Sequence, residues 1–441
     1  MLLKLRKYRF ICSLTIVFFS CAAPKQITVN QPVLAPVVQK VEEDLSKTTI
    51  FLEELLNQYP DYFGNILKNR NNWNVQIIYT QIDRGANGIP ALKNFYFNVN
   101  PDRYFYPAST IKLPLSMLSL QKLNELNITG LDKNTTMITG AADESQTAVY
   151  NDPTVKNGKP SIDNYIKKML IGSDNDAGNR MYEFLGQEYI NTQLQKKGCT
   201  DVQILHRLGI WLTPEENRVT NPIQFLMYDN SIIWQKPLQT NSVQYKPRKD
   251  TLGKGYWSNG KFIDKPLNFS TKNKINLEDL HGLLSQLVFP AKTASSQRML
   301  LSDADRMFLL KNLSMYPSES SAPPYKDDTI HFWPTVNKFI FYGAEKAPLT
   351  ENIRIFNKAG EAYGQLTDVA YIVDFEKKIE FFVSATIYCN QDEILNDDQY
   401  DYKNIGLPFM KNLGRVLYTH EKSRQRNITP DLSSVQFNYA R

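Results

Sequence analysis

Cysteine is scarce in this chain: four in 441 residues, at Cys12, Cys21, Cys199 and Cys389. No two of them form a C-x-x-C pair, and Cys199 and Cys389, the two in the body of the chain, are too few for a disulfide framework. Histidine is equally sparse. His206, His281, His331 and His420 are scattered and there is no H-E-x-x-H, so neither a metal site nor a cofactor is expected. No segment recurs at a spacing of about 20 to 50 residues, which excludes solenoids and propellers. A concentrated basic face is missing too. Of the formal net charge of +6, four charges come from Lys4, Arg6, Lys7 and Arg9, and setting those four aside leaves +2. Nucleic acid is therefore not an expected partner. The apolar run at 10–19 is too short to span a bilayer as an ordinary helix.

What that run does provide, behind four basic residues, is the pattern of an export signal over residues 1–20. The following "FFSCAAP", with Ser20 directly before Cys21, is similar to a bacterial lipoprotein cleavage site. That similarity implies lipidation of Cys21 and an exported, membrane-anchored protein facing the periplasm. Phe18 stands where such sites prefer leucine, and a plain secretory signal or an uncleaved anchor is the alternative. Residues 21–45 hold three prolines and no helical or strand period, and read as a tether.

The body, 46–430, has ordinary globular composition, with 23 Phe and 24 Tyr to fill a core. A helical pattern at 49–67 is interrupted at Pro60, and 72–83 alternates as a strand, with a second strand within 94–108. Helical patterns dominate 109–198 and return at 275–289 and 301–316. Strand alternation resumes at 352–364 and 366–388, the latter turning near Glu376 and Lys377, and a last amphipathic helix covers 406–422. Between these, 205–275 loses long apolar periodicity, and Asn259-Gly260 marks a hairpin within it. The order predicts an α+β fold. Strands from 46–108 and 350–430 form one antiparallel sheet flanked by helices, 109–349 forms a helical lobe with an insertion at 205–275, and a site lies in the cleft between them.

Three short motifs carry chemistry. Ser109 and Lys112 lie three apart at the start of a helix, so their side chains share a face, and the lysine is either a base for a serine nucleophile or a solvated surface charge. A helix start also favours an oxyanion. A second copy, Ser119 and Lys122, lies mid-helix and is expected on a solvated face. Ser173-Asp174-Asn175 is either an ordinary helix cap or a polar turn beside the serine. Lys358-Ala359-Gly360, on a predicted strand, reads by itself as a surface lysine beside a bulge glycine.

Together and in this order, the motifs resemble the S-x-x-K, S-D-N and K-T-G of the class A β-lactamase and penicillin-binding-protein superfamily of serine acyltransferases, and "PASTIKLP" looks like its nucleophile region. The resemblance runs from about residue 50 to 425 and implies the β-lactamase/transpeptidase-like fold. It implies Ser109 as the acylated nucleophile, Lys112 as its proton partner and Ser173 as a proton relay to the leaving nitrogen. Asn175 would hold the substrate amide and Lys358 attract a substrate carboxylate. The backbone N–H groups of Ser109 and Glu361 would form an oxyanion hole, and Gly360 would belong to the substrate-binding set. The implied substrate is a small β-lactam or a peptidoglycan-like peptide, and the implied activity is β-lactam hydrolysis. A D-Ala-D-Ala-type peptidase or other amide or ester hydrolase with slow deacylation is the alternative, and a catalytically silent cell-wall-binding module is another.

Three departures bear on that choice. Ala359 replaces a threonine, and no arginine lies between Thr367 and Cys389. No E-x-x-x-N loop follows Ser173-Asp174-Asn175. The segment "HRLGIWLTPEENRVTNP" offers Glu215, Glu216 and Asn217, with Glu215 the candidate deacylation base. The insertion is expected to place 240–275 as a flap beside the cleft, packed through Tyr256, Trp257 and Phe262.

Overall fold

A computed structural model describes residues 46–85, 89–144 and 146–439. The export segment, Cys21 and the tether lie outside the described residues. Five antiparallel strands make the main sheet: β1 (Gln76–Arg84), β2 (Pro90–Phe97), β3 (Ile353–Ala362), β4 (Gln365–Asp374) and β5 (Ile379–Tyr388). Their order is β3-β4-β5-β1-β2, so the N-terminal hairpin completes a sheet begun by the C-terminal strands, as expected. The β1–β5 junction pairs Thr80 with Phe382, and the β4–β5 hairpin pairs Asp374 with Ile379. Its turn is held by Asp374, whose Oδ1 accepts from the N–H groups of Glu376 and Lys377 at 2.9 Å each.

Every residue of β4 and β5 is buried because both faces of the sheet are covered. Alternate side chains enter two cores. Val369, Tyr371 and Phe382 face the larger core, whereas Ala370, Ile372 and Phe381 face the second. The second core is closed by α1 (Ile50–Asn57), α2 (Pro60–Lys68) and α10 (Leu407–Ser423). Pro60 starts α2 at a position where its missing N–H is harmless, which is why the helical pattern there divides in two.

The larger core is built around α3 (Lys112–Leu126), buried from Lys112 through Gln121. Around it stand α4 (Ile162–Lys167), α5 (Asn175–Leu185), α6 (Gln187–Lys196), α8 (Leu277–Val288) and α9 (Asp303–Ser314). Asn127 ends α3 in a left-handed conformation, donating its N–H to the Leu123 carbonyl. Burial on all sides corrects the expectation for Ser119 and Lys122. Ser119 is fully buried, its hydroxyl donating to the Leu115 carbonyl at 2.8 Å. The Lys122 ammonium donates to the carbonyls of Phe184 and Leu185 at the end of α5, and burial lowers its pKa to about 8. The stretch Lys112–Gln121 is packed on every side and has no solvated face to offer.

The segment 205–275 contributes both to the larger core and to a separate hairpin. The strand Ile223–Leu226 pairs with Thr136–Thr139, and its Ile223 and Phe225 enter the larger core. Asn259-Gly260 forms the expected hairpin, both residues at positive φ (49° and 71°), joining Gly255–Ser258 to Lys261–Ile263. Cys199 and Cys389 are free and buried.

Candidate active site

Ser109 lies in a short 3-10 turn, Ala108–Ile111, that leads into α3. The preceding Ala108 has φ +45°, an unfavourable conformation for a side chain, and it turns the backbone sharply just before the serine. Three residues on, Lys112 is fully buried, and its Nζ lies 2.7 Å from Ser109 Oγ. The same Nζ donates to the Ser173 carbonyl at 2.5 Å and to Asn175 Oδ1 at 2.7 Å, with Ser173 Oγ at 3.4 Å.

Local chain geometry explains why one tripeptide supplies all of these atoms. Ser173 is left-handed (φ 59°), and Asp174 caps α5 by accepting from the Ala177 N–H at 2.9 Å. Asn175 opens the helix. The tripeptide is thus a helix cap at its middle residue and a polar wall facing Lys112 at the two outer ones. Gly178, one turn along α5, leaves room for the lysine: a Cβ there would stand 3.3 Å from Lys112 Cε.

Lys358 on β3 is buried, and its ammonium donates to Ser173 Oγ at 2.9 Å and to the Ala359 carbonyl at 2.8 Å. Burial lowers its pKa to about 7, against an opposing pull from the Asp368 carboxylate. Beneath it runs a buried polar chain. Lys338 donates to Asn357 Oδ1 at 2.8 Å, and Asn357 Nδ2 donates to both Asp368 oxygens. Lys112 is held well below the ordinary lysine range, by burial first and by the neighbouring Lys358 second. Gly360 brings β3 against the backbone at Ser109: a Cβ there would lie 2.8 Å from the Pro107 oxygen and 2.9 Å from the Ser109 nitrogen. Ser109, Lys112, Ser173, Asn175, Lys358 and Gly360 are therefore brought together, with Glu361 next along the strand.

Of these, Ser109, Ser173, Gly360 and Glu361 line a cleft of about 530 Å³. One wall is Ser109, Ser173 and 359–361; the others come from Trp333, Asn337 and Glu345 and from Lys403 ahead of α10. Trp333 is pinned by its indole N–H to the Ala344 carbonyl, and Asn337 Nδ2 donates to the Ile171 carbonyl, at 2.8 Å each. Sequence reasoning missed this wall. Its only local signal is the aromatic density of "HFWPTVNKFIFYG".

The flap is a correction. Among the described residues lining the cleft, none comes from 240–275. Tyr256 instead packs in an aromatic cluster with Tyr106, Phe269 and Tyr363, directly behind Ala108. Trp257 and Phe262 touch each other at 5.8 Å and remain about half exposed. Through Tyr256 the hairpin packs against the cluster that holds Tyr106 and Ala108, the residues just before Ser109 in the chain.

Glu215 and Glu216 occupy the first turn of α7 (Pro214–Arg218). Glu216 completes a capping box, accepting from the Thr213 N–H at 2.6 Å, and Glu215 is exposed. Asn217 closes the loop, its Oδ1 accepting from the Arg207 N–H, while Arg207 pairs with buried Glu183 on α5 at 3.0 Å.

Residues 61–420 match the sequence profile described as the beta-lactamase enzyme family. The chain belongs to this family. Among curated proteins none matches it significantly. Similar solved structures include a β-lactamase from Sphaerobacter thermophilus, at 14% identity over 81% of this chain and 97% of that one, TM-score 0.42. An ancestral class A β-lactamase is 15% identical over 83% and 99% of the two chains, TM-score 0.43. A mutant of the protein PBP-A, solved as its acyl-enzyme with penicillin G, is 15% identical over 83% and 96%, TM-score 0.44. Membership of the beta-lactamase family rests on the sequence match.

Proposed function

We propose that this family member is a serine acyl-enzyme hydrolase that opens β-lactam amides through Ser109 and releases the product slowly. The observation that carries the reading is the coordination of Lys112. A neutral amine has two N–H bonds, and two of its three close neighbours, the Ser173 carbonyl and Asn175 Oδ1, can only accept. The lone pair is then left for the Ser109 hydroxyl at 2.7 Å. Burial favours that neutral form, so Lys112 takes the serine proton as Oγ attacks the carbonyl carbon. The carbonyl oxygen, now negative, is received by the N–H groups of Ser109 and Glu361. Ser173, in contact with both lysines, passes a proton to the departing nitrogen. Lys358 and the exposed Lys403 supply positive charge for a substrate carboxylate, which offsets the missing arginine and the alanine at 359.

Slow release is supported by the carboxylates. Those lining the cleft are Glu345, engaged by Lys411 at 2.7 Å, and Glu361, while Glu216 is committed to its cap. No hydrogen bond among the described residues joins Glu215 or Glu216 to the Ser109 cluster. The lipid anchor at Cys21 and a periplasmic location are part of the same proposal, and Cys21→Ala should release the mature protein from the membrane.

Mass spectrometry of the protein with penicillin tests the reading. Ser109→Ala should abolish the adduct in a folded protein, whereas Ser119→Ala, deep in α3, should leave it; an adduct surviving in Ser109→Ala would refute the nucleophile assignment. Replacing Glu215 and Glu216 together by Gln should change the adduct lifetime little. A lifetime lengthened by an order of magnitude would assign one of them as deacylation base.

A further inference from the structure

A second cavity, of about 520 Å³, lies where α2 and the turn after it meet the end of β5. Its volume falls within the usual range of small-molecule sites, about 300–1,000 Å³. One wall carries Asn65, Asn69 and Asn72, spaced to share one side of α2 and its extension, with Trp73 beside them. The other wall is the segment leaving β5: Tyr388, Asn390, Gln391 and Glu393. The walls are tied together by the Tyr388 N–H, which donates to the Trp73 carbonyl at 2.7 Å.

The chemistry of this lining is narrow. Five of its side chains are neutral amides, two are aromatic, and Glu393 is its single charge, with no lysine or arginine among the lining residues. An anion would find no counter-charge there, and an apolar ligand would strand the amides. Asn390 is 3% exposed, and its Nδ2 is used on the Tyr388 hydroxyl and the Ile394 carbonyl at 3.0 Å each. Its Oδ1 has no hydrogen-bond partner among the described residues. Tyr388 accepts that bond, and no acceptor for its own O–H is found among the described residues. The exposed amides of Asn65, Asn72 and Gln391 present donors and acceptors together, the complement of a hydroxyl group, which is both.

The wall is also built to stay in place. The Glu393 carbonyl accepts the Lys254 N–H at 2.8 Å, and the Gln391 N–H donates to Asp401 Oδ2 at 2.9 Å. The segment that carries the Asn259-Gly260 hairpin thus braces this turn as well as the turn before Ser109.

We infer that this amide-lined cavity is a binding site for a neutral, hydroxyl-rich saccharide, separate from the Ser109 cleft. Calorimetric titration of the intact protein with tri-N-acetylchitotriose and with cellotriose tests it. The expected result is saturable binding of at least one of them, weakened at least tenfold by Asn65→Ala with Asn72→Ala. Both of those residues are exposed, so the fold is not at risk. Penicillin labelling of Ser109 should be unchanged in the double variant, which keeps this outcome independent of the proposed acylation chemistry. No heat from either sugar would show a cavity filled only by water, and undiminished binding in the double variant would put the sugar elsewhere; either overturns the inference.

Discussion

At the scale of single residues, two lysines a few ångströms apart are asked to hold different protonation states. Lys112 must be neutral to accept the serine proton, and its position between burial and Lys358 favours that. Lys358, whose pKa is about 7, attracts a substrate carboxylate only while protonated. Acylation by an ordinary penicillin should therefore fall on the acid side, as Lys112 gains a proton. It should also fall on the alkaline side as pH rises through about 7 and Lys358 loses one. A β-lactam whose carboxylate is esterified has no use for that charge, so its alkaline limb should be absent. Stopped-flow acylation with the two substrates checks this, and identical profiles would remove Lys358 from carboxylate recognition.

At the scale of elements, the site depends on how closely β3 lies against the 3-10 turn. Gly360 is the point of contact, and its neighbours there are backbone atoms that cannot rotate away. Gly360→Ala would force strand and turn apart, at about 1–3 kcal/mol for the overpacking. The larger effect should be on function, because the same shift moves the N–H groups of Ser109 and Glu361 relative to each other. The expected outcome is a fall in adduct formation of roughly a hundredfold in a protein that still melts cooperatively. Full-rate labelling in Gly360→Ala would mean that β3 does not set the oxyanion geometry.

At the scale of the whole molecule, this protein buries an unusual number of amines. Lys236, Lys338 and Lys358 are all lowered to about 7, chiefly by burial. In the unfolded chain each binds its proton up to the ordinary lysine value of about 10.4. Between those limits the unfolded state holds more protons, so stability rises with pH, and below about 7 the penalty is complete. The melting temperature should climb by several degrees between about pH 7 and 8, a window below the ionisation midpoints of exposed thiols and tyrosines. Differential scanning calorimetry measures it directly. A flat or falling profile would show that these lysines keep their protons when folded.

The sequence alone determined whatever depends on near neighbours. Period-two alternation set the strands at both ends, Pro60 split the first helix, and Asn259-Gly260 made a hairpin because both residues tolerate positive φ. Capping chemistry put Asp174 at the head of α5 and Glu216 in its box. The motif spacing was legible for the same reason: Ser109 and Lys112 share a face by helical geometry, and Ser173 to Asn175 act as one turn. Tertiary structure decided what each pattern is for. Two S-x-x-K copies differ little as strings, yet packing on every side of α3 buries Ser119, while β3 and the cap of α5 enclose Ser109 in a cleft. The wall at 333–345, Lys403 and the placement of the hairpin behind Ala108 are likewise contacts between residues distant in the chain. Burial is a property of such contacts, and it is burial that lowers the pKa of Lys112 and Lys358, on which their proposed roles as base and carboxylate-binding cation depend.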